Sequence, residues 1–278
     1  MFLNHHFEKW LTNPDRVLVQ GILNITPDSF SDGGLYLNPK TAFDKAIKLL
    51  DDGCDIIDIG GESSRPGSTP ISAQEEIDRI IPVIEKIKNE VECSISVDTY
   101  KADVAHEAIM HGANIVNDIT GLTHDPDMIE LVVKNDIPVI LMHMQGNPKS
   151  MQKNPFYNDV VDEISTFFKE QIRKLNSKGF PIHKIILDPG IGFGKTSQHN
   201  LKILKNIDII CNLGCHALIG TSRKSFIGDI LNCPPEKRLE GTISSNLFAI
   251  TQGVKIIRVH DVLEMRKALT VLEKILEA

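Results

Sequence analysis

One pattern occurs eight times along the chain: a short run of β-branched or other apolar residues, then a stretch with helical apolar spacing. The predicted strands are Val17–Asn24, Ile56–Ile59, Ser94–Val97, Ile115–Asn117, Val139–Met142, Ile185–Leu187, Ala217–Ile219 and Ile256–Val259. Between them, apolar residues recur three or four positions apart, as on the buried face of a helix. Gly53, Gly112 and Gly179 stand where helices commonly end.

The uninterrupted run of strand-then-helix units decides whether the chain forms one large domain or two small ones. A chain of 278 residues is long enough for one large domain or for two small ones. Because eight such units follow one another without a Pro/Gly/Ser-rich linker, the sequence predicts an α/β protein with a single (β/α)8 barrel over residues 1–278.

Charge and composition exclude several classes of partner. The formal net charge of −7 disfavours attraction to nucleic acid or to an anionic membrane. No apolar run approaches the roughly 18 residues that cross a bilayer, and charged residues occupy the N-terminal segment where a signal peptide is apolar. The five scattered cysteines are expected to be free thiols. We therefore expect a cytoplasmic protein.

Polar side chains lie at or just after the ends of most of the predicted strands. They are Asn24, Asp58, Asp98, Asn117, Asp118, His143, Asp188, Arg258 and His260. Any one of these residues could simply form a turn or begin a helix. As a set they indicate a functional site, because the strands of a barrel all end on the same rim, where barrel enzymes assemble their active sites.

The segment from Asp188 to Thr196 is similar to a nucleotide-binding loop but fails both tests for one. A P-loop requires glycine where Pro189 stands, and a dinucleotide fingerprint requires glycine where Lys195 stands. We interpret its glycines as a sharp turn beside a flat ligand, with Asp188 as a hydrogen-bonding anchor.

Positive charge at the predicted rim comes from Arg65, Lys224, Arg258 and His260, a set suited to an anionic substrate. The long loops at 26–34 and 62–70 are rich in Gly, Ser, Pro and Asp and are interpreted as lids. The first carries Phe30, an aromatic side chain that could cover a ring.

Several of these segments resemble the signatures of dihydropteroate synthases, a pterin-binding family. The similar segments are 21–34 (GILNITPDSFSDGG), 58–67 (DIGGESSRPG), 96–99 (SVDT), 187–195 (LDPGIGFGK), 220–225 (GTSRKS) and 258–260 (RVH). The match covers essentially the whole chain, with these segments in the same order. Ser64 stands where many members have threonine, and the hydroxyl is retained.

The resemblance implies an enzyme of folate biosynthesis, a sulfonamide target that joins a dihydropterin diphosphate to p-aminobenzoate, with Mg2+ and as a homodimer. It implies magnesium at Asn24, diphosphate at Asn24, Arg258 and His260, pterin at Asp98, Asn117, Asp188 and Lys224, and p-aminobenzoate at Phe30, Ser64, Arg65, Pro66 and Ser225, with Ser64 also touching the diphosphate substrate. Asp98, Lys224 and Arg258 are the expected catalytic residues.

Two other functions remain to be distinguished. A pterin-binding methyltransferase domain would share the barrel and the acidic pterin contacts, although the two lid loops and the 222–225 segment argue against it. A catalytically silent relative would bind pterin or phosphate without turnover, although Asn24, Asp98, Asp188, Lys224 and Arg258 are all present.

Overall fold

Eight parallel strands close into a barrel in which each strand pairs with the next along the chain and the eighth pairs with the first. The computed structural model describes residues 4–26, 39–65 and 67–278. The strands β1 to β8 are Leu18–Asn24, Ile56–Gly60, Ser94–Asp98, Ile115–Asp118, Val139–Met142, Ile185–Asp188, His216–Ile219 and Ile256–Val259. The predicted barrel is confirmed, with strand limits within one residue of those expected.

Helices surround the barrel and bury their apolar faces against the outside of the strands. They are α1 (Asn4–Thr12), α2 (Pro39–Asp51), α3 (Ala73–Glu90), α4 (Ala102–Met110), α5 (Met128–Asn135), α6 (Val160–Ser177), α7 (Ser197–Lys205), α8 (Ile207–Cys211), α9 (Ser225–Leu231), α10 (Leu239–Thr251) and α11 (Val262–Glu277). Gly53, Gly112 and Gly179 follow α2, α4 and α6 as predicted.

Local sequence explains where several helices begin. The Ser72 hydroxyl accepts the backbone N–H of Glu75 at the start of α3, and the Asp159 carboxylate accepts two N–H groups at the start of α6. These side chains satisfy donors that the first turn of a helix leaves unpaired. None of the described helices is long and apolar enough to span a membrane.

The barrel interior is filled by layers from alternate strands, as is usual for this fold. In the lower layer, the register places four isoleucines from the even-numbered strands. The layer above consists of residues from the odd-numbered strands, namely Gln20, Ser96, Ile140 and Leu218. The next layer toward the carboxyl ends is polar. We call it the floor layer, and it consists of Asp58, Asn117, Asp188 and Arg258.

Helix α1 closes the end of the barrel opposite the floor layer, a feature that the sequence pattern did not predict. Phe7, Trp10 and Leu11 join the same buried cluster as the lower interior residues of the barrel. The Trp10 indole donates to the Arg16 carbonyl at 2.8 Å. With this end sealed by apolar side chains, the polar rim is the face of the barrel left for a ligand.

Candidate active site

Most of the strand-end residues predicted from the sequence converge on the rim above the barrel interior. Asp118, predicted with them, instead accepts the Thr120 N–H at 2.7 Å and the Leu122 N–H at 3.1 Å within the loop after β4. Asp98, Asn117, Asp188 and Arg258 each lie at or next to the last residue of a strand, and Lys224 follows β7. They come from five different strands, so the site exists only once the barrel is closed.

The central contact of the site is an ion-pair network around Arg258. Its Nε donates to Asp58 Oδ2 at 2.6 Å, and its Nη2 donates to Asp98 Oδ2 at 2.7 Å. The Asn117 amide donates to both oxygens of Asp58 at 3.3 Å. Asp58 is fully buried, and the Arg258 side chain is 20% exposed. The network holds the guanidinium in one orientation at the bottom of the rim.

Burial and charge shift the pKa values of this network in opposite directions. Burial raises the pKa of Asp98 to about 7, although the nearby Arg258 works to lower it. Burial also acts to lower the pKa of Arg258, but the carboxylates of Asp58 and Asp98 outweigh that effect and leave it raised. Arg258 is therefore a permanent cation, and Asp98 is able to change its protonation near neutral pH.

Asp188 anchors the glycine-rich loop after β6. Its Oδ1 accepts the backbone N–H of Gly190 at 2.8 Å. Burial raises the pKa of Asp188, and the bond from Gly190 and the charge of Lys224 oppose that rise. The second carboxylate oxygen is left for a ligand.

The glycines of this loop turn sharply, and two of them also allow a close backbone approach that we did not predict. Gly190 and Gly194 both have positive φ, and a Cβ at either would lie 2.1 Å from the His143 carbonyl oxygen or 2.4 Å from that of Gln145. No side chain fits at those distances. Gly190 and Gly194 therefore permit the backbone of this loop to pack against the loop after β5. Gly192 instead lies beside the Lys224 side chain.

Lys224 occupies the N-cap position of α9 without a capping hydrogen bond from its side chain, which extends toward the β6 loop. Its Nζ lies 4.0 Å from the centroid of the Phe193 ring, a cation–π contact. Burial, followed by repulsion from Arg258, lowers the pKa of Lys224 to about 8, and the carboxylates of Asp188 and Asp98 oppose that shift. The ammonium group thus stands between two acidic residues of the site.

His260 stands at the outer edge of the rim, two residues after Arg258. Its Nδ1 lies 3.0 Å from the Ser222 hydroxyl oxygen, and its backbone N–H donates to that same oxygen at 3.2 Å. Desolvation, followed by the charge of Arg258, lowers the pKa of His260 to about 4, so the ring is neutral at physiological pH.

Arg223, next to Lys224, proves to be structural. Its guanidinium forms two hydrogen bonds with the Asp261 carboxylate, at 3.0 and 2.5 Å. The cation therefore ties the loop after β7 to the loop after β8, and its charge is already compensated.

Asn24 and Asp98 present oxygen atoms to a common space at the rim. A Cβ placed on Gly60 would lie 3.8 Å from Asn24 Oδ1 and 3.7 Å from Asp98 Oδ2. No group of three or more His, Cys, Asp or Glu side chains among the described residues could hold a metal by itself. A hard cation that takes one or two protein oxygens and completes its shell with phosphate and water would fit this donor set.

The loop after β2 carries Ser64 and Arg65 above the rim. Its base is held by Glu62, whose carboxylate accepts from Tyr100 Oη at 2.7 Å, from Lys101 Nζ at 2.6 Å and from the Ile71 N–H at 3.0 Å. Ser64 is partly buried and Arg65 is exposed, as is Ser225 at the start of α9. Phe30 and Pro66 lie outside the described residues.

Three residues in or beside the site were given no role from the sequence: Asp58, Ser222 and Lys195. Asp58 and Ser222 were visible as polar residues after strands, but nothing in their local sequence shows which side chains they bind. Lys195, 3% exposed, donates to the carbonyls of Phe193 at 2.9 Å and His143 at 3.1 Å. Burial lowers its pKa to about 7. Lys195 thus holds the loop that carries Phe193.

Comparison with known proteins gives one consistent result. The family model of pterin binding enzymes matches residues 20–260. The dihydropteroate synthase of Escherichia coli strain K12 is 46% identical over 260 residues, which cover 94% of this chain and 92% of that protein.

Solved structures agree with the sequence relatives. A dihydropteroate synthase from Yersinia pestis in a sulfonamide complex superposes with a TM-score of 0.90, at 43% identity, over 96% of both chains. One from Xanthomonas albilineans with 4-aminobenzoic acid has a TM-score of 0.89 at 39% identity and covers 95% of this chain and 94% of that one.

Proposed function

This chain belongs to the pterin-binding enzyme family, and we propose how its rim condenses (7,8-dihydropterin-6-yl)methyl diphosphate with p-aminobenzoate. The products are 7,8-dihydropteroate and diphosphate. The observation that carries the assignment is the convergence of three acids or amides (Asp98, Asn117 and Asp188) and two cations (Lys224 and Arg258) at the strand ends. The chain is a transferase of folate biosynthesis, and its fold and sequence are those of known sulfonamide targets.

The polar groups deep in the rim bind the pterin ring. A pterin edge offers several N–H donors and a carbonyl acceptor. The free oxygen of Asp188 and the carbonyl of Asn117 accept from the donors, and the Lys224 ammonium donates to the carbonyl. Asp98, held by Arg258 through Oδ2, accepts from a ring N–H with its other carboxylate oxygen. This complementarity orients the methylene carbon toward the mouth of the barrel.

The outer part of the rim binds the diphosphate. Arg258 commits Nε and Nη2 to the two aspartates, and its Nη1 has no acceptor among the described residues. That donor, the His260 ring and the Asn24 amide line the path from the pterin site to solvent. Ser64 adds a hydroxyl from the loop above. These groups stabilise the negative charge that develops on the leaving oxygen.

Magnesium is part of the proposal. The Asn24 side-chain oxygen beside Gly60 suits a cation that binds protein and phosphate together. When bound there, Mg2+ would neutralise diphosphate charge and so improve the leaving group.

The reaction breaks the bond between the methylene carbon and the diphosphate oxygen, and forms a bond from that carbon to the aniline nitrogen. The nitrogen then releases a proton. Positive charge on the methylene is stabilised by the neighbouring carboxylates of the site. We place p-aminobenzoate between the loop after β2, with Ser64, Arg65 and Pro66, and the start of α9, with Ser225. Phe30 would cover its ring.

Assembly and location complete the proposal. Helices α7, α9 and α10 expose Leu201 (36%), Ile230 (58%), Leu231 (50%) and Phe248 (45%) on one face. A contiguous apolar face of this kind supports a homodimer, and Phe248→Asp would make the particle monomeric in analytical ultracentrifugation.

The five free thiols support a reducing, cytoplasmic location.

A turnover assay tests the function. Purified protein with magnesium should make dihydropteroate from the two substrates, whereas a methyltransferase domain or a silent relative would not. Asp188→Asn should abolish pterin binding while the fold is retained, because an amide presents the wrong hydrogen-bonding pattern to two ring donors. The control is Asp208→Asn, at the exposed first turn of α8. Near-normal turnover in Asp188→Asn would refute the pterin assignment.

A further inference from the structure

The loops after β7 and β8 are joined through the hydroxyl of Ser222. Ser222 is 6% exposed, and its hydroxyl oxygen contacts His260 twice, at the backbone N–H (3.2 Å) and at ring Nδ1 (3.0 Å). His260 as a whole residue is exposed at the rim. The Nδ1 edge of the imidazole is held by Ser222, and Nε2 has no hydrogen-bond partner among the described residues.

The donors and acceptors available to Ser222 and His260 determine which nitrogen of the His260 ring carries the proton. A buried hydroxyl needs an acceptor for its own hydrogen as well as donors for its lone pairs. The backbone N–H of His260 already donates to Ser222 Oγ. If Nδ1 also carried a hydrogen, Ser222 would receive two donors while its O–H had no acceptor among the described residues. If Nδ1 is unprotonated, the O–H donates to it and both groups are satisfied.

We propose that Ser222 is a positioning residue that fixes His260 in the Nε2–H tautomer, so that the ring presents a neutral N–H donor to the diphosphate. The inference about the tautomer rests on contacts within the free protein. Its consequence for the substrate rests on the proposed function of His260 as a diphosphate ligand. If both tautomers were populated, a fraction of the protein molecules would present an Nε2 lone pair to a phosphate oxygen and bind diphosphate more weakly. A single Nε2–H tautomer avoids this loss of affinity.

The backbone next to Ser222 is held in an unusual conformation that supports this role. Arg223 has φ of 57°, in the left-handed region that a long side chain rarely adopts. Its side chain is paired with Asp261, its N–H donates to Thr242 Oγ1 at 3.0 Å, and its carbonyl accepts from Arg238 Nη1 at 2.9 Å. Strained residues persist where the surroundings over-determine them, commonly at functional sites.

The Arg223–Asp261 pair and the Ser222–His260 contacts are consecutive along both loops. They form a double link between the loop that carries Lys224 and the loop that carries His260. The two contacts have different tasks: the ion pair fixes the distance between the loops, and the serine fixes the proton on the ring. The lowered pKa of His260 agrees with a neutral ring, in which the choice of tautomer matters.

Nitrogen NMR of the free enzyme tests the tautomer directly. Protein labelled with 15N in its ten histidines is recorded at pH 7, and the His260 signals are assigned by their absence from His260→Gln. The expected spectrum shows a pyridine-type Nδ1 and a pyrrole-type Nε2. A pyrrole-type Nδ1, or averaged shifts of two tautomers, would overturn the inference whether or not the protein is an active synthase.

Diphosphate binding tests the consequence. In Ser222→Ala, we expect averaged ring shifts and about 10-fold weaker binding of inorganic pyrophosphate with magnesium by calorimetry. Ser222→Thr should restore both readouts because it keeps the hydroxyl. Ser177→Ala, which removes an exposed hydroxyl at the end of α6, is the matched control and should change neither.

The two readouts separate the possible failures. A wild-type enzyme with the Nε2–H tautomer that does not bind pyrophosphate would refute the proposed diphosphate site but not the role of Ser222 in the free protein. A Ser222→Ala enzyme with one Nε2–H tautomer and unchanged pyrophosphate affinity would refute the inference while leaving the proposed function intact.

Discussion

Asp58 is the residue through which the floor layer orients Arg258, and Asp58→Asn tests that role. The carboxylate is fully buried and pairs with Arg258 at 2.6 Å. Removing one partner of a buried ion pair costs about 3–5 kcal/mol. Asp98 still pairs with the guanidinium at 2.7 Å, so we expect the lower end, about 3 kcal/mol. For a chain of this size, that loss lowers Tm by about 6–12 °C.

The same substitution should weaken function beyond its effect on stability. Without Asp58, Arg258 is held only through Asp98, and the guanidinium no longer has one orientation toward the diphosphate. We expect kcat/KM per folded molecule to fall about 10- to 100-fold, the range for residues that orient a primary ligand. Urea unfolding and steady-state kinetics on the same preparation measure the two effects.

Asp55→Asn provides a matched control at the far end of β2. Asp55 is 4% exposed, pairs with Arg16 at 2.5 Å and with Arg266, and accepts the Val19 N–H at 2.8 Å. It should lose comparable stability while keeping normal kcat/KM, because it lies away from the rim. If both variants lose stability and neither loses activity, Asp58 does not organise the site, and the reasoning fails.

Three further predictions concern the substrates. Because protonated Lys224 is the donor to the pterin and its pKa is about 8, kcat/KM should fall as pH rises through about 8; a flat profile up to pH 10 contradicts this, and Lys224→Arg should move the fall to higher pH. Asn24→Ala should raise the magnesium concentration needed for half-maximal turnover without changing the affinity for a bare pterin, measured by calorimetry; a collapse of pterin affinity would argue against the division of the site. A sulfonamide should bind more tightly to protein saturated with magnesium and pyrophosphate than to free protein, and should tighten pyrophosphate by the same factor; equal affinities would show that the p-aminobenzoate pocket is already formed.

The architecture was accessible from the sequence because it rests on local patterns. Strand runs followed by helical spacing, with glycine after α2, α4 and α6, specify βα units. A closed barrel is the arrangement that eight such units commonly form. Polar residues at strand ends then had to meet on one rim, so Asp98, Asn117, Asp188 and Arg258 could be grouped before any coordinates were known.

The partners of those residues could not be predicted in this way, because contacts between distant positions depend on closure and register. Arg258 pairs with Asp58, which lies 200 positions away along the chain. No local sequence pattern indicates that the guanidinium donates two hydrogen bonds to carboxylates. Arg223 and Lys224 are adjacent cations in the sequence, yet one is neutralised by Asp261 and the other is half-buried beside Phe193. The sequence by itself determined which residues reach the rim. Only the tertiary structure decided which of them pair with each other and which remain for the substrate, because burial and ion pairing are properties of the closed barrel.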